Sequence, residues 1–198
     1  LQFPISNFYD IGAEIFRWEI ATVTACSIIG VNAFDQPNVE SSKKITKAKI
    51  ADYQKKGKLK EGKPAWKKDG VSVFSPTAVT GASLNAVLSK FLKKAKAGGY
   101  VAINAYLPRN NEMTDAIRAK TGNAVTAGFG PRFQHSTGQF HKGGPKNALF
   151  LVVTADAEKD LDIPTEGLTY GTLIRAQALG DYEALIEARR KVLRVHLP

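Results

Sequence analysis

The nearly continuous apolar run Tyr100–Leu107, with the further strand-like runs Ala124–Phe129, Ala148–Thr154 and Val192–Leu197, constrains this chain more than any other feature. Alternate side chains of a strand point to opposite sides, so a run that is apolar at almost every position predicts a strand covered on both faces. Between the runs lie segments with helical spacing. Ser83–Ala97 carries Leu84, Val87, Leu88, Phe91 and Leu92 on one face and closes at Gly98-Gly99; a second segment starts at Asn110 or Asn111 and ends at Gly122. Val71–Phe74 reads as a further short strand. Repeated strand–helix–strand units predict an α/β fold, a mostly parallel sheet flanked by helices on both faces.

The flanking segments read as follows. Ile11–Ile29 predicts a helix that Asp10 caps and Gly30 ends, with Ile15, Phe16, Trp18, Val23, Cys26 and Ile28 making it apolar on nearly every side, hence buried. Val39–Gln54 predicts an amphipathic helix with Asp35 as its cap and Pro37 in its first turn. About residues 56–70 are Lys/Gly/Pro-rich and read as a loop; Asp156–Gly167 reads as an acidic loop; Gly180 separates two short helices, Tyr170–Leu179 and Asp181–Arg190. A length of 198 residues with 43% hydrophobic content suits one domain.

The formal net charge of +10 admits nucleic acid, anionic lipid or a phosphorylated small molecule as partner. Eleven of the lysines, from Lys43 to Lys68, fall in one stretch almost without aromatic residues to stack bases, which favours a solvated helix face over a nucleic-acid surface. Cys26 is the sole cysteine, so an intramolecular disulfide or a cysteine-based zinc site is excluded and a cytoplasmic setting is expected. No run approaches the roughly 20 apolar residues of a membrane helix. The start, Leu1-Gln2-Phe3-Pro4, has no signal-peptide layout, and the chain is expected to begin inside a larger protein.

Chemistry concentrates in Gly128–Pro145, where two histidines, Arg132, Lys142, two hydroxyls and two glutamines sit among five glycines after a predicted strand. Ligands of parallel sheets bind beyond the carboxyl ends of the strands, and this stretch delivers Arg132, His135, Ser136 and Gln139 to that edge. If Ser136–Lys142 forms a short helix, its start favours a phosphate or a developing oxyanion. His135 can exchange protons near neutral pH. A metal is disfavoured, because no carboxylate lies in the stretch and Arg132 and Lys142 repel a cation. A serine hydrolase is disfavoured too, for the chain has no Gly-x-Ser-x-Gly elbow.

These residues carry a resemblance. Phe34-Asp35-Gln36-Pro37-Asn38-Val39-Glu40-Ser41-Ser42-Lys43 is similar to the C-terminal signature of glucose-6-phosphate isomerases, Phe-Asp-Gln-x-Gly-Val-Glu-x-x-Lys, with Asn38 in place of the usual glycine. Gln134-His135-Ser136-Thr137-Gly138-Gln139 looks like the family's histidine motif, and Gly130–Pro145 and Gly171–Asp181 resemble the isomerase half of bifunctional transaldolase/phosphoglucose isomerases. The resemblance implies an SIS-like, Rossmann-like three-layer sandwich: the single C-terminal sugar-isomerase subdomain of an enzyme interconverting glucose 6-phosphate and fructose 6-phosphate. It needs no cofactor. Lys43 and His135 would assist ring opening, while Gln36, Arg132, Ser136, Gln139 and Lys142 are the expected substrate-binding residues.

The chain departs from the family in two ways. The Glu-Ser-x-Gly-Lys motif with the family's catalytic glutamate, its enediolate-stabilising arginine and its Ser/Thr phosphate loop are not found here and are expected upstream; the isolated chain is accordingly expected to be inactive or nearly so. Lys43 precedes His135, the reverse of the order in single-function isomerases. By analogy, a homodimer and contacts with upstream domains are expected. The alternatives are a phosphosugar-binding or regulatory module without turnover and, further off, nucleic-acid binding through the lysine-rich stretch.

Overall fold

The computed structural model describes residues 4–35, 37–108 and 112–198. It divides into two compact units, Leu1–Gln36 and Pro37–Pro198.

In the first unit, α1 (Phe8–Ile29) begins with a reciprocal capping box: Asn7 accepts from the N–H groups of Tyr9 and Asp10, and the Asp10 carboxylate accepts from Asn7 N–H. Asp10 is therefore inside the helix and Asn7 is its cap. Gly30 ends the helix in the left-handed conformation at φ 74°, as expected. None of its residues is buried, against the expectation of a buried helix; Phe8 is 89% and Ile28 81% exposed. An all-round apolar pattern shows that a helix needs cover, and among the described residues of its own unit no further helix or strand supplies it.

The second unit holds α2 (Pro37–Lys56), β1 (Trp66–Lys68), β2 (Val71–Phe74), α3 (Leu84–Leu92), β3 (Tyr100–Tyr106), α4 (Glu112–Thr121) and β4 (Ala124–Phe129). A 3-10 turn (Arg132–His135) follows, then α5 (Thr137–Gly143), β5 (Leu149–Ala155), β6 (Asp162–Ile163), β7 (Leu168–Thr169), α6 (Tyr170–Glu187) and β8 (Lys191–Leu197). The main sheet has the order β1-β2-β8-β5-β3-β4. Strands β8, β5, β3 and β4 run parallel, and β1 and β2 extend the sheet antiparallel. The α/β sandwich read from the apolar runs is the fold observed.

Period two along β3 sorts the core. Val101, Ile103 and Ala105 face one side with α3 and Ile117 of α4; Ala102 and Tyr106 face the other, where Phe133 and the α6 residues Ala178, Tyr182 and Leu185 cover the sheet. On that second face α2 packs across α6.

Three local readings change. The lysine-rich loop contains β1, which pairs with β2. The acidic loop contains β6, which pairs with β7 just beyond its end. Gly180 does not interrupt α6, for a reason that emerges at the site. The start of α4 read at Asn110 or Asn111 lies outside the described residues.

Candidate functional site

The stretch after β4 is pressed onto the sheet because glycines permit it. A Cβ at Gly128 would lie 2.7 Å from the Phe133 side chain, and one at Gly130 would lie 2.7 Å from the Tyr106 ring. The 3-10 turn therefore buries Phe133 and Gln134 against the sheet and leaves His135 exposed. Thr137–Gly143 is helical, close to the expected Ser136–Lys142.

Gly180 plays the same part for α2. A Cβ there would stand 2.2 Å from Thr46 Oγ1 and 2.9 Å from the Ser42 carbonyl oxygen, so α6 has a glycine where α2 crosses it. The start of α2 is tied to α5 as well: Asn38 N–H donates to Gln139 Oε1 at 3.2 Å.

These approaches bring Lys43 of α2 and His135 of the 3-10 turn to one cavity of about 310 Å³. Ser42, Thr46 and Lys47 line it from α2, Gln134 from the 3-10 turn, Tyr106 from β3, and Leu173 and Gln177 from α6. Among the described residues, two lysines and a histidine face it and no carboxylate does. Glu40 pairs with Lys43 at 2.7 Å; the hydrogen bond and charge of that lysine hold the Glu40 carboxyl below its usual range. Ser42 is 6% exposed, and its Oγ, itself buried, has no hydrogen-bond partner among the described residues.

The other expected residues take different positions. Arg132 is exposed and is not on the cavity wall. Ser136 is exposed and donates from Oγ to the Phe133 carbonyl at 3.2 Å. Gln139 holds Asn38. Lys142 faces inward, its ammonium 2.6 Å from Asp181 Oδ1, which puts it beneath the cavity instead of at its rim. Gln36 lies outside the described residues. Lys47, Ser42, Tyr106, Gln134 and Gln177 were not anticipated. Lys47 was within reach of the sequence, one helical turn beyond Lys43 on the same face, whereas Tyr106 and Gln177 join the site only through the topology.

Burial pushes the Tyr106 hydroxyl well above the usual phenol range; the Asp181 charge adds to this and the hydrogen bond from Gln134 opposes it. Tyr106 is therefore a neutral hydroxyl at physiological pH. A larger groove of about 830 Å³ runs along α1 past Ile11, Ile15, Trp18 and Phe34, but it is mainly apolar and lacks comparable chemistry. Among the described residues, no group of three or more His, Cys, Asp or Glu could hold a metal ion, and no helix is long and apolar enough to cross a membrane.

Known proteins share part of this chain. It is similar to glucose-6-phosphate isomerase. It is 33% identical over 90 residues to the glucose-6-phosphate isomerase of one strain of Thermus thermophilus, covering 40% of this chain and 22% of that protein. It is 31% identical over 90 residues to the enzyme of a second strain, with the same coverage. The chain thus spans about a fifth of the length of the curated relatives it matches. A crystal structure of the hypothetical protein TT0462 from T. thermophilus aligns at a TM-score of 0.52 and 24% identity, over 59% of this chain and 34% of that one, a likeness of fold alone. No family model matches.

Proposed function

We propose that this chain is the C-terminal sugar-isomerase part of a glucose-6-phosphate isomerase, of the kind fused to a transaldolase, and that it contributes the ring-opening half of the site. The observation that carries the reading is the convergence of Lys43 and His135 on one cavity with Lys47, several hydroxyl and amide groups and, among the described residues, no carboxylate. Such a wall suits an anionic ligand rich in oxygen atoms.

In this reading, His135 accepts the proton of the anomeric hydroxyl as the bond between C1 and the ring oxygen breaks and the C1 carbonyl forms. The Lys43 ammonium delivers a proton to the departing ring oxygen. The later transfer between C1 and C2 through an enediolate needs a carboxylate base. None of the described residues lining the cavity supplies one, so that base comes from outside this chain. Contacts with further domains, and a homodimer, belong to the same proposal.

Ring opening without the later step is measurable. The purified chain should accelerate exchange between the α and β anomers of glucose 6-phosphate, followed by NMR, while a coupled assay detects little conversion to fructose 6-phosphate. Lys43→Ala and His135→Ala should each lower the exchange rate by about a hundredfold, the scale of one acid–base contribution. Substantial isomerisation by the chain alone would show that it holds its own base and overturn the division of labour. The missing carboxylate also favours a second reading, a phosphosugar-binding module without turnover; glucose 6-phosphate bound with no anomer exchange would select it.

A further inference from the structure

Beneath the cavity, buried polar side chains are connected in a fixed order. Asn104 Nδ2 donates to Asp181 Oδ2 at 3.0 Å, and Lys142 Nζ sits 2.6 Å from Asp181 Oδ1. The same ammonium donates to Gln134 Oε1 at 2.9 Å, and Gln134 Nε2 donates to the Tyr106 hydroxyl oxygen at 3.2 Å. The order follows from one residue. An ammonium carries donors and no acceptor, so the Gln134 atom facing Lys142 must be the carbonyl oxygen. The amide NH₂ is then turned to Tyr106, and the phenol must accept there. A phenol has one proton, and its only recorded partner among the described residues is a donor. Both Tyr106 and Gln134 line the cavity shared by Lys43 and His135. The neutral state of Tyr106 keeps its proton in place.

We propose that Tyr106 donates its hydroxyl hydrogen to an oxygen of the ligand in this cavity, and that Lys142 is a positioning residue that sets this polarity through Gln134. The ligand class, a sugar phosphate, rests on the reading above; the direction of the hydroxyl does not. Tyr106 is a specificity element for acceptor oxygens: a ligand group offering only donors would meet Lys43, Lys47 and Tyr106 without a partner. Lys142 acts from below and touches no ligand, which explains a fully enclosed ion pair so close to an exposed histidine.

Titration calorimetry of the full chain tests this with two probes, glucose 6-phosphate and inorganic phosphate. Tyr106→Phe should weaken binding about three- to tenfold, the effect of one neutral hydrogen bond, with the thermal unfolding profile confirming that the variant folds. Removing Lys142 alone would leave Asp181 buried without its cation, so the paired Lys142→Met/Asp181→Leu variant is used, which exchanges the ion pair for apolar groups. It should weaken binding by a similar factor, and adding Tyr106→Phe to it should cause little further loss, because the hydroxyl direction is already released. A structural role for Lys142 alone would make the losses additive. Wild-type binding of glucose 6-phosphate that is unchanged by Tyr106→Phe overturns the inference and leaves the sugar-phosphate reading intact. Binding of inorganic phosphate alone, weakened by Tyr106→Phe, upholds the inference and refutes that reading. No binding of either probe by the wild type refutes both.

Discussion

His135 and His141 lie in one short stretch and meet opposite surroundings. His135 is exposed at the cavity, while His141 packs its ring against Phe150 at a centroid distance of 5.2 Å, with Tyr100 and Phe133 nearby, and its Nδ1 has no partner among the described residues. Burial pushes the His141 pKa down to about 4; Asp181 opposes the shift, and Lys142 and Arg190 reinforce it. The unfolded chain binds a proton at this residue below about pH 6.5, and the folded chain does not until about pH 4. The stabilisation is therefore complete above pH 6.5 and is lost as pH falls through that window, by at most ~3 kcal/mol. In urea unfolding between pH 7 and pH 5, the wild type should lose stability faster than His141→Leu; parallel curves would refute this. No spacing rule separates these two histidines, since the difference is which ring the 3-10 turn and α5 rotate inward. Lys142 teaches the same lesson, a lysine expected from the sequence to bind substrate that is the cation of a closed pair in the fold.

Elements are held by contacts that local patterns misreport. Gly180 reads as a break between two helices, yet α6 runs unbroken through it, because the glycine is the point where Ser42 and Thr46 of α2 come closest. Gly180→Ala should improve the intrinsic propensity of α6 and still destabilise the protein, by ~1–3 kcal/mol of overpacking, while displacing the helix that carries Lys43. Chemical denaturation gives the sign; a more stable variant would contradict the close approach. The lysine-rich segment is pinned in a comparable way. Glu61 accepts from Arg194 Nη2 at 2.9 Å and Arg175 Nε at 2.6 Å, and the Arg194 guanidinium lies 3.7 Å over the Phe74 ring. Burial tends to raise the Glu61 pKa, and the two arginines more than offset it, leaving it below the usual range. Arg194 is 0% exposed, so Glu61→Ala strands a buried charge and should cost ~3–5 kcal/mol in denaturant unfolding, far more than removing an exposed glutamate. A loss under ~1 kcal/mol would mean that the aromatic rings alone hold the arginine.

At the scale of the molecule, the second unit covers its sheet with two apolar clusters, one on each face. The sandwich was legible from the chain because a strand buried on both faces must be apolar at nearly every position, as β3 and β5 are, and because strands alternate with helical segments. Lys43 and His135 stand out in the sequence because local motifs carry them. Tertiary structure alone decided that they share a cavity, that Lys47, Ser42 and Tyr106 join them, and that Lys142 lies beneath it. Those facts depend on how closely α2 crosses α6 and how tightly the 3-10 turn meets β3, distances between segments far apart in sequence that no local pattern encodes.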